Sequence, residues 1–274
     1  MDLFQALQQE KPLQIAGVVN MLVGLIAQEA GFRALYVSGA GVANTELAVP
    51  DLGLTSLDQV FQTTFRLTSV VSLPVLVDGD TGWGDPGRTV TLLAKAGAAG
   101  VHLEDQVPAK RCGHRPGKQL FSIDEMVERL TWAVAARPSH FAIMVRSDAF
   151  ANEGMEGFLK RCKRYVEAGA DMIFAEALPS WNAYKCVTEA LPAPVLANMT
   201  EFGVFPLLTV PELTEAGVAM ILYPLTVMRA MHKTARDVLQ IVRQEGTQKD
   251  ILSALQTGES LYQLIHYAEQ EKRQ

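Results

Sequence analysis

Four times along this chain a helical stretch runs into Glu/Lys-Ala-Gly and then, within a few residues, into a short apolar run ending on polar residues. The copies are QEAGFRALYVSG at 28–39, AKAGAAGVHLED at 94–105, VEAGADMIFAE at 166–176 and TEAGVAMILYP at 214–224. A glycine just past a helix supplies the left-handed residue that ends it, and a strand follows after a short connection. Each copy is therefore a helix-to-strand junction. Further apolar runs with the same polar ending, at 13–16, 75–77, 141–145 and 195–197, raise the strand count to eight. Helical patterns near 20–30, 55–71, 87–97, 122–136, 154–167, 180–190, 209–216 and 225–244 alternate with them. The strands are continuously apolar, as parallel strands covered on both faces are. The repeat predicts a (β/α)8 barrel of the TIM type, an α/β fold, over about 13–243 of a single domain spanning 1–274. Two more helical stretches, 249–257 and 259–272, have no strand to serve and are expected to cover a neighbouring subunit or close one end of the barrel.

An open doubly wound sheet expects a glycine-rich dinucleotide turn after an early strand. Gly39-Ala40-Gly41 comes close, but Asn44 stands at the third glycine position, which argues against nucleotide binding. Composition narrows the partners. A net charge of −6 offers no bulk attraction to phosphate backbones, so nucleic acid is not an expected partner. The uncharged run from Leu13 to Gln28 is interrupted by Gln14, Gly17 and Asn20 and is too short to read as a membrane span. MDLFQALQQEK has neither the basic nor the apolar region of a secretory signal. Three cysteines, Cys112, Cys162 and Cys186, are odd in number and irregularly spaced, which argues against a disulfide framework and makes the cytoplasm the expected compartment.

In barrels of this kind, chemistry is built from the C-terminal ends of the strands. Those positions hold Asn20, Ser38, Asp78 and Asp80, Glu104 and Asp105, Arg146 and Asp148, Glu176, Asn198 and Thr200, and Tyr223. Carboxylates dominate. Several acids converging cannot all stay ionised unless a cation compensates, and oxygen ligands with few histidines suit Mg²⁺ or Mn²⁺ better than zinc. Some of these polar residues would instead cap the following helices. The Asp78-x-Asp80 pair in DGDTGWGDPG is the strongest metal candidate, since alternate residues of an extended strand point the same way.

After the fourth strand comes Lys110-Arg111-Cys112-Gly113-His114-Arg115-Pro116-Gly117-Lys118. Cationic neighbours lower a thiol's pKa toward reactivity, and such a loop suits an anionic substrate. The second KRC, at 160–162, lies in a helical pattern and reads as a charged helix face with a structural Cys162. His102, inside the fourth strand, is expected to be packed. No strand ends in lysine, so a Schiff-base mechanism has no obvious nucleophile. The loops after strands seven and eight hold only Gly203 between them, which makes a phosphate cradle weak. What remains suits the holding of a polycarboxylate and the stabilising of an enolate made as a C–C bond breaks or forms.

The segments YVSGAGVA, PDLG, VDGDTGWG, EDQVPAKRCGHRPGK, RSD, LANMTEFG and YPLTVMRAM together resemble the isocitrate lyase and phosphoenolpyruvate mutase superfamily, and within it the branch that cleaves 2-methylisocitrate. The likeness runs from about Leu13 to about Tyr267, and the Lys-Arg-Cys-Gly-His signature marks the lyases. The resemblance implies Mg²⁺ at Asp78 and Asp80, with Asp51 and Glu104 contributing through water. It implies a substrate site lined by Ser38, Gly39, Ala40, Gly113, His114, Arg146, Glu176, Asn198, Thr200 and Arg229. In the implied reaction, a step of the 2-methylcitrate cycle of propionate catabolism, 2-methylisocitrate gives pyruvate and succinate. Tyr36 or Glu176 takes the hydroxyl proton, and Cys112 protonates the aci-carboxylate left on succinate. The family implies a homotetramer exchanging C-terminal helices.

Two positions depart from the family pattern. Ala40 stands for the middle glycine of a Ser-Gly-Gly-Gly segment, and Gly258 stands where the family has a substrate-binding arginine. Both leave 2,3-dimethylmalate or oxaloacetate open as smaller substrates. A non-catalytic binding barrel would be expected to lack Asp78, Asp80 or Cys112, and all three are present.

Overall fold

The structure is a computed structural model and describes residues 2–111, 113, 117–203 and 207–272. Eight parallel strands close into a barrel in sequence order: β1 Leu13–Val18, β2 Ala34–Val37, β3 Val75–Asp78, β4 Gly100–Glu104, β5 Ala142–Ser147, β6 Met172–Ala175, β7 Val195–Asn198 and β8 Met220–Tyr223. β1 closes the ring on β8 with Ile15 opposite Leu222. All eight sit where the apolar runs predict them, and β3, β4, β5 and β7 run on into their polar endings. The four junction glycines, Gly31, Gly97, Gly169 and Gly217, have φ of 92°, 86°, 100° and 77°, the left-handed geometry that only glycine adopts freely.

The helices on the outside of the ring are α2 Met21–Glu29, α4 Leu57–Thr68, α5 Pro86–Lys95, α6 Ile123–Ala136, α7 Phe150–Glu167, α8 Trp181–Ala190 and α9 Val210–Glu215. Asn20 caps α2 through Val23 N–H, so this strand-end residue serves the helix, not the site. Two further helices have no counterpart among the predicted helical stretches. α1, Leu3–Gln9, carries a capping box of Asp2 and Gln5 and buries Leu3 and Ala6 in the same cluster as Leu13, Met144, Met172 and Met220, filling the N-terminal end of the barrel. α3, Gly39–Thr45, starts at its cap Ser38 and is built of residues too small and too poor in helix propensity to show a periodic pattern. α7 starts four residues before the predicted boundary, with Gly154 in a non-helical conformation (φ 65°) marking a kink inside it.

The chain divides into two compact units, one reaching to Thr226 and the other beginning at Val227. The second is made of α10, Thr226–Glu245, a 3₁₀ turn at Lys249–Ala254, and α11 Gly258–Leu264 with α12 Tyr267–Glu271. The predicted helix over 259–272 is thus two short ones, broken at His266, whose φ is 53°. Among the described residues no helix is long and apolar enough to cross a membrane.

Candidate active site

Tyr36 points inward from β2, and Asp78 ends β3 beside it, with Tyr36 Oη donating to Asp78 Oδ2 at 3.2 Å. Asp78 also accepts the Gly39 N–H at 3.0 Å, tying the start of α3 to the end of β3. A Cβ on Gly39 would lie 3.0 Å from the same carboxylate oxygen, a tight contact to which the carboxylate would have to yield. Asp80 reaches its neighbour by a different route from the one predicted. It lies beyond the strand, with φ 47°, and its N–H donates to Asp78 Oδ1 at 3.0 Å. A left-handed turn, which aspartate tolerates, brings the two carboxyls together in place of strand alternation.

Glu104 ends β4 and is 1% exposed, with Oε1 lacking a hydrogen-bond partner among the described residues. Lys110, in sequence only one member of a basic loop, is buried and forms ion pairs with Asp80 and, at 2.9 Å, with Asp51. Its charge stabilises an acidic cluster that also raises its own pKa: burial opposes the ammonium, but Glu104, Asp80, Asp78 and Asp51 together outweigh it. Burial lifts Asp80 to about 6, reinforced by the charge of Asp78 and only partly offset by Lys110. Glu104 is likewise pushed well up by burial against the pull of Lys110 and Arg146. Asp78 goes the other way: burial is overcome by facing His102, Lys110 and Arg146 and by the Asp80 N–H. Burial lowers His102 to about 4, so near neutral pH it is uncharged and the Lys110 and Arg146 cations carry that stabilisation.

His102 is packed, as expected, with 0% exposure, but it also belongs to the site: its Nε2 is 2.9 Å from Tyr36 Oη. Nothing in its spacing marks this, because the contact crosses between strands. Tyr36 is pushed well above the usual phenol range, first by burial and then by Asp78. It therefore keeps its proton and acts as a donor.

Arg146, near the end of β5, is the central cation of the opposite wall, with 12% of its side chain exposed. Its Nε and Nη2 bind Asp148 at 2.9 and 3.2 Å, and it faces Glu176 at 3.6 Å and Glu104 at 3.7 Å. A fork held by one carboxylate has a fixed orientation. Glu176, beyond β6, accepts at Oε2 from Asn198 Nδ2 at 3.2 Å. These side chains share a cavity of about 70 Å³ with Ser38, Ala40, Asp51, Gly113 and Thr200. So Tyr36, Ser38, Ala40, Asp51, Asp78, Gly113, Arg146, Glu176, Asn198 and Thr200 converge, with Gly39, Asp80 and Glu104 bonded or paired to members of that set. Cys112 and His114 lie outside the described residues. Arg229 lies on α10 in the second unit and is exposed.

The oxygen donors of Asp78, Asp80, Glu104 and Asp51 fit a hard divalent cation. Among the described residues they do not form a ready-made cage of three or more ligands, and Lys110 supplies the compensating charge. The unpartnered Glu104 Oε1 and the mutually raised acids are what a cation would relieve. Behind the site, Asp105 accepts from Ser147, Tyr165 and the Asp148 N–H, and is structural. Arg161 corrects another expectation. It is 6% exposed and binds Glu153, Phe121 O and Tyr165, whereas Lys160, Lys163 and Arg164 are exposed on the charged helix face and Cys162 is buried, as expected.

A family model described as phosphoenolpyruvate phosphomutase matches residues 4–243. A 2-methylisocitrate lyase of Escherichia coli (strain K12) is 49% identical over 273 residues, covering 98% of this chain and 92% of that protein. Among solved structures, 2,3-dimethylmalate lyase superposes with a TM-score of 0.91 at 31% identity, over 98% of this chain and 91% of that one. Oxaloacetate acetylhydrolase in complex with 3,3-difluorooxalacetate gives 0.91 at 30% identity, over 99% and 94%.

Proposed function

We propose, on the premise that the chain belongs to the phosphoenolpyruvate mutase/isocitrate lyase superfamily, that it is a carbon–carbon lyase cleaving 2-methylisocitrate to pyruvate and succinate. The observation that carries this reading is Arg146, clamped by Asp148 at the mouth of a ring of buried carboxylates: an anion site beside an acidic cluster. Identity favours the tricarboxylate, at 49% to a 2-methylisocitrate lyase against 31% and 30% to the dimethylmalate and oxaloacetate enzymes.

Asp78 and Asp80, with Glu104 and Asp51 through water, would hold Mg²⁺ or Mn²⁺. When bound, the cation neutralises the acid cluster and favours negative charge developing on substrate oxygens. Arg146 and the backbone around Ser38 and Gly39 bind carboxylates. Tyr36 holds its proton, so it orients and donates, and Glu176 is the group that takes the substrate hydroxyl proton. The electron pair of that O–H bond forms the pyruvate carbonyl, and the C–C pair passes to the succinate fragment. Cys112 returns a proton to the carbon that received it. The direct test is a panel of 2-hydroxy acids assayed for pyruvate release with Mg²⁺ and after dialysis against chelator. Turnover of 2-methylisocitrate that needs the metal supports the reading. No 2-oxo acid from any member, or full turnover in chelator, refutes it.

The family resemblance implies that position 258 serves a substrate carboxylate, and here that position is glycine. It opens α11 behind the cap Thr257, and a Cβ there meets nothing within 4 Å, so a side chain can be added without clash. A charge-assisted hydrogen bond contributes roughly 1.5–3 kcal/mol, so Gly258→Arg should lower KM for 2-methylisocitrate about tenfold or more. KM for 2,3-dimethylmalate should barely change. A KM for the tricarboxylate that is unchanged or higher would show that this position does not serve the substrate.

We also assign the second unit to assembly, as a homotetramer exchanging these helices. Leu239, Leu252 and Tyr262 are 69%, 58% and 51% exposed, an apolar set unusual for a surface that meets only water. Truncation after Arg243 should lower both the assembled mass and the activity. A fully active, monodisperse monomer in sedimentation would contradict it.

A further inference from the structure

We infer that Gln106 and Lys118 are positioning residues for the reaction step given to Cys112, because they hold the peptides of Arg111 and Gly113, its two neighbours in the chain. The segment between β4 and α6 is closed at its neck by a ladder: Phe121 N–H donates to Asp105 O at 2.9 Å, Val107 N–H donates to Gln119 O at 3.0 Å, and Gln106 pairs antiparallel with Leu120. From each side of this neck one buried side chain reaches into the loop. Gln106, 0% exposed, accepts the Arg111 N–H at 3.0 Å and donates its Nε2 to Arg111 O at 2.9 Å. Lys118, 5% exposed, donates to Gly113 O at 2.6 Å.

The two anchors are symmetric in sequence. Gln106 holds the residue five positions after it and Lys118 the residue five before it, so the two held residues are those that flank position 112 in the sequence. A carboxamide is matched to this task because it satisfies a donor and an acceptor of one residue at once, which neither Glu nor Leu can do. Lys118 is in turn tied to the substrate wall, since its Nζ also donates to Asp148 Oδ1 at 3.0 Å, the carboxylate that orients Arg146. A loop that only closed over solvent would have no need of a buried ammonium and a buried amide, each costly to desolvate unless paired. Gly113, next in the chain to the proposed acid, and the anion-binding arginine are thereby tied to one frame. This rests on the proposed role of Cys112 as the acid.

The test uses Gln106→Glu, which is isosteric but cannot donate to Arg111 O, and Lys118→Met, which leaves Asp148 paired with Arg146. The full-length protein is assayed for kcat and KM with 2-methylisocitrate, for Tm, and for iodoacetamide labelling of each cysteine by peptide mass spectrometry. Exposed Cys186 is the internal reference. Misplacing a reacting group by about 1 Å costs up to about 100-fold, so kcat should fall at least tenfold with KM within about threefold. The Cys112-to-Cys186 labelling ratio should shift at least about threefold, and in a Cys112→Ser background Gln106→Glu should have no further effect on kcat. Unchanged kcat overturns the inference. So does a fall in kcat that tracks Tm with the labelling ratio unmoved, or one that persists in full in the Cys112→Ser background. Should Lys118→Met fail to fold, Gln106→Glu alone decides. Full activity of Cys112→Ser itself would instead refute the acid assignment, a separate result from wild-type kcat in Gln106→Glu.

Discussion

Cys112→Ser should lower kcat by about 10²–10⁴-fold while leaving Tm nearly unchanged, the range spanned by general acid–base catalysis from one side chain. Serine fills a similar space, but its hydroxyl is a far weaker acid than a thiol and cannot deliver a proton to carbon at a useful rate. Cys162→Ser is the informative control. That thiol is fully buried on α7, and burial pushes its pKa well up, so it has neither access nor acidity. Its replacement should cost stability and little rate. Steady-state kinetics beside thermal melts separate the two, and variants that behave alike would remove Cys112 from the chemistry.

The contrast between those cysteines also shows what a sequence discloses. Both sit in Lys-Arg-Cys, and the distinction came from the surrounding pattern: glycines and proline around Cys112, helical periodicity around Cys162. Four of the eight strands were legible because each follows the same local device, a glycine with positive φ, and the other four because they are apolar runs with the same polar ending. The inward-facing acids were legible because a barrel places its strand ends on one rim. Contacts that cross between elements were not. Lys110 and Lys118 read only as members of a basic loop, yet each spans from that loop to a buried carboxylate, Lys118 across 30 positions to Asp148. Arg161 inverts in the same way, since it alone among the charged residues around Cys162 turns inward, onto Glu153 and Tyr165. The pairing of His102 with Tyr36 joins residues 66 apart, and periodicity within either strand is silent about it. Fold is carried by local repetition, whereas the partners of a buried charge are decided by which strands become neighbours.

Gly113→Ala should abolish most activity, with kcat/KM down by about 100-fold or more, while the fold stays close to wild-type stability. An added Cβ would lie 2.3 Å from Glu176 Oε1 and 2.5 Å from Arg146 Nη2, distances at which something must move. The atoms in the way are the ends of side chains, not backbone, so the barrel itself need not distort. Those ends are held, however. Arg146 is clamped by Asp148 through two bonds, and Glu176 accepts from Asn198. Either the loop lifts away, carrying the residue beside Cys112 with it, or the two substrate-facing groups are displaced from the positions that bind and deprotonate the substrate. Both outcomes reduce turnover and neither exposes much core. A charge lost by Arg146→Gln would mainly raise KM, whereas the methyl should reduce kcat as well, because it disturbs geometry on both sides of the reacting bond. Kinetics of the variant, read beside its melting temperature, check this. Near-normal kcat/KM in a well-folded Gly113→Ala would mean that this loop does not close down on Glu176 and Arg146 during turnover.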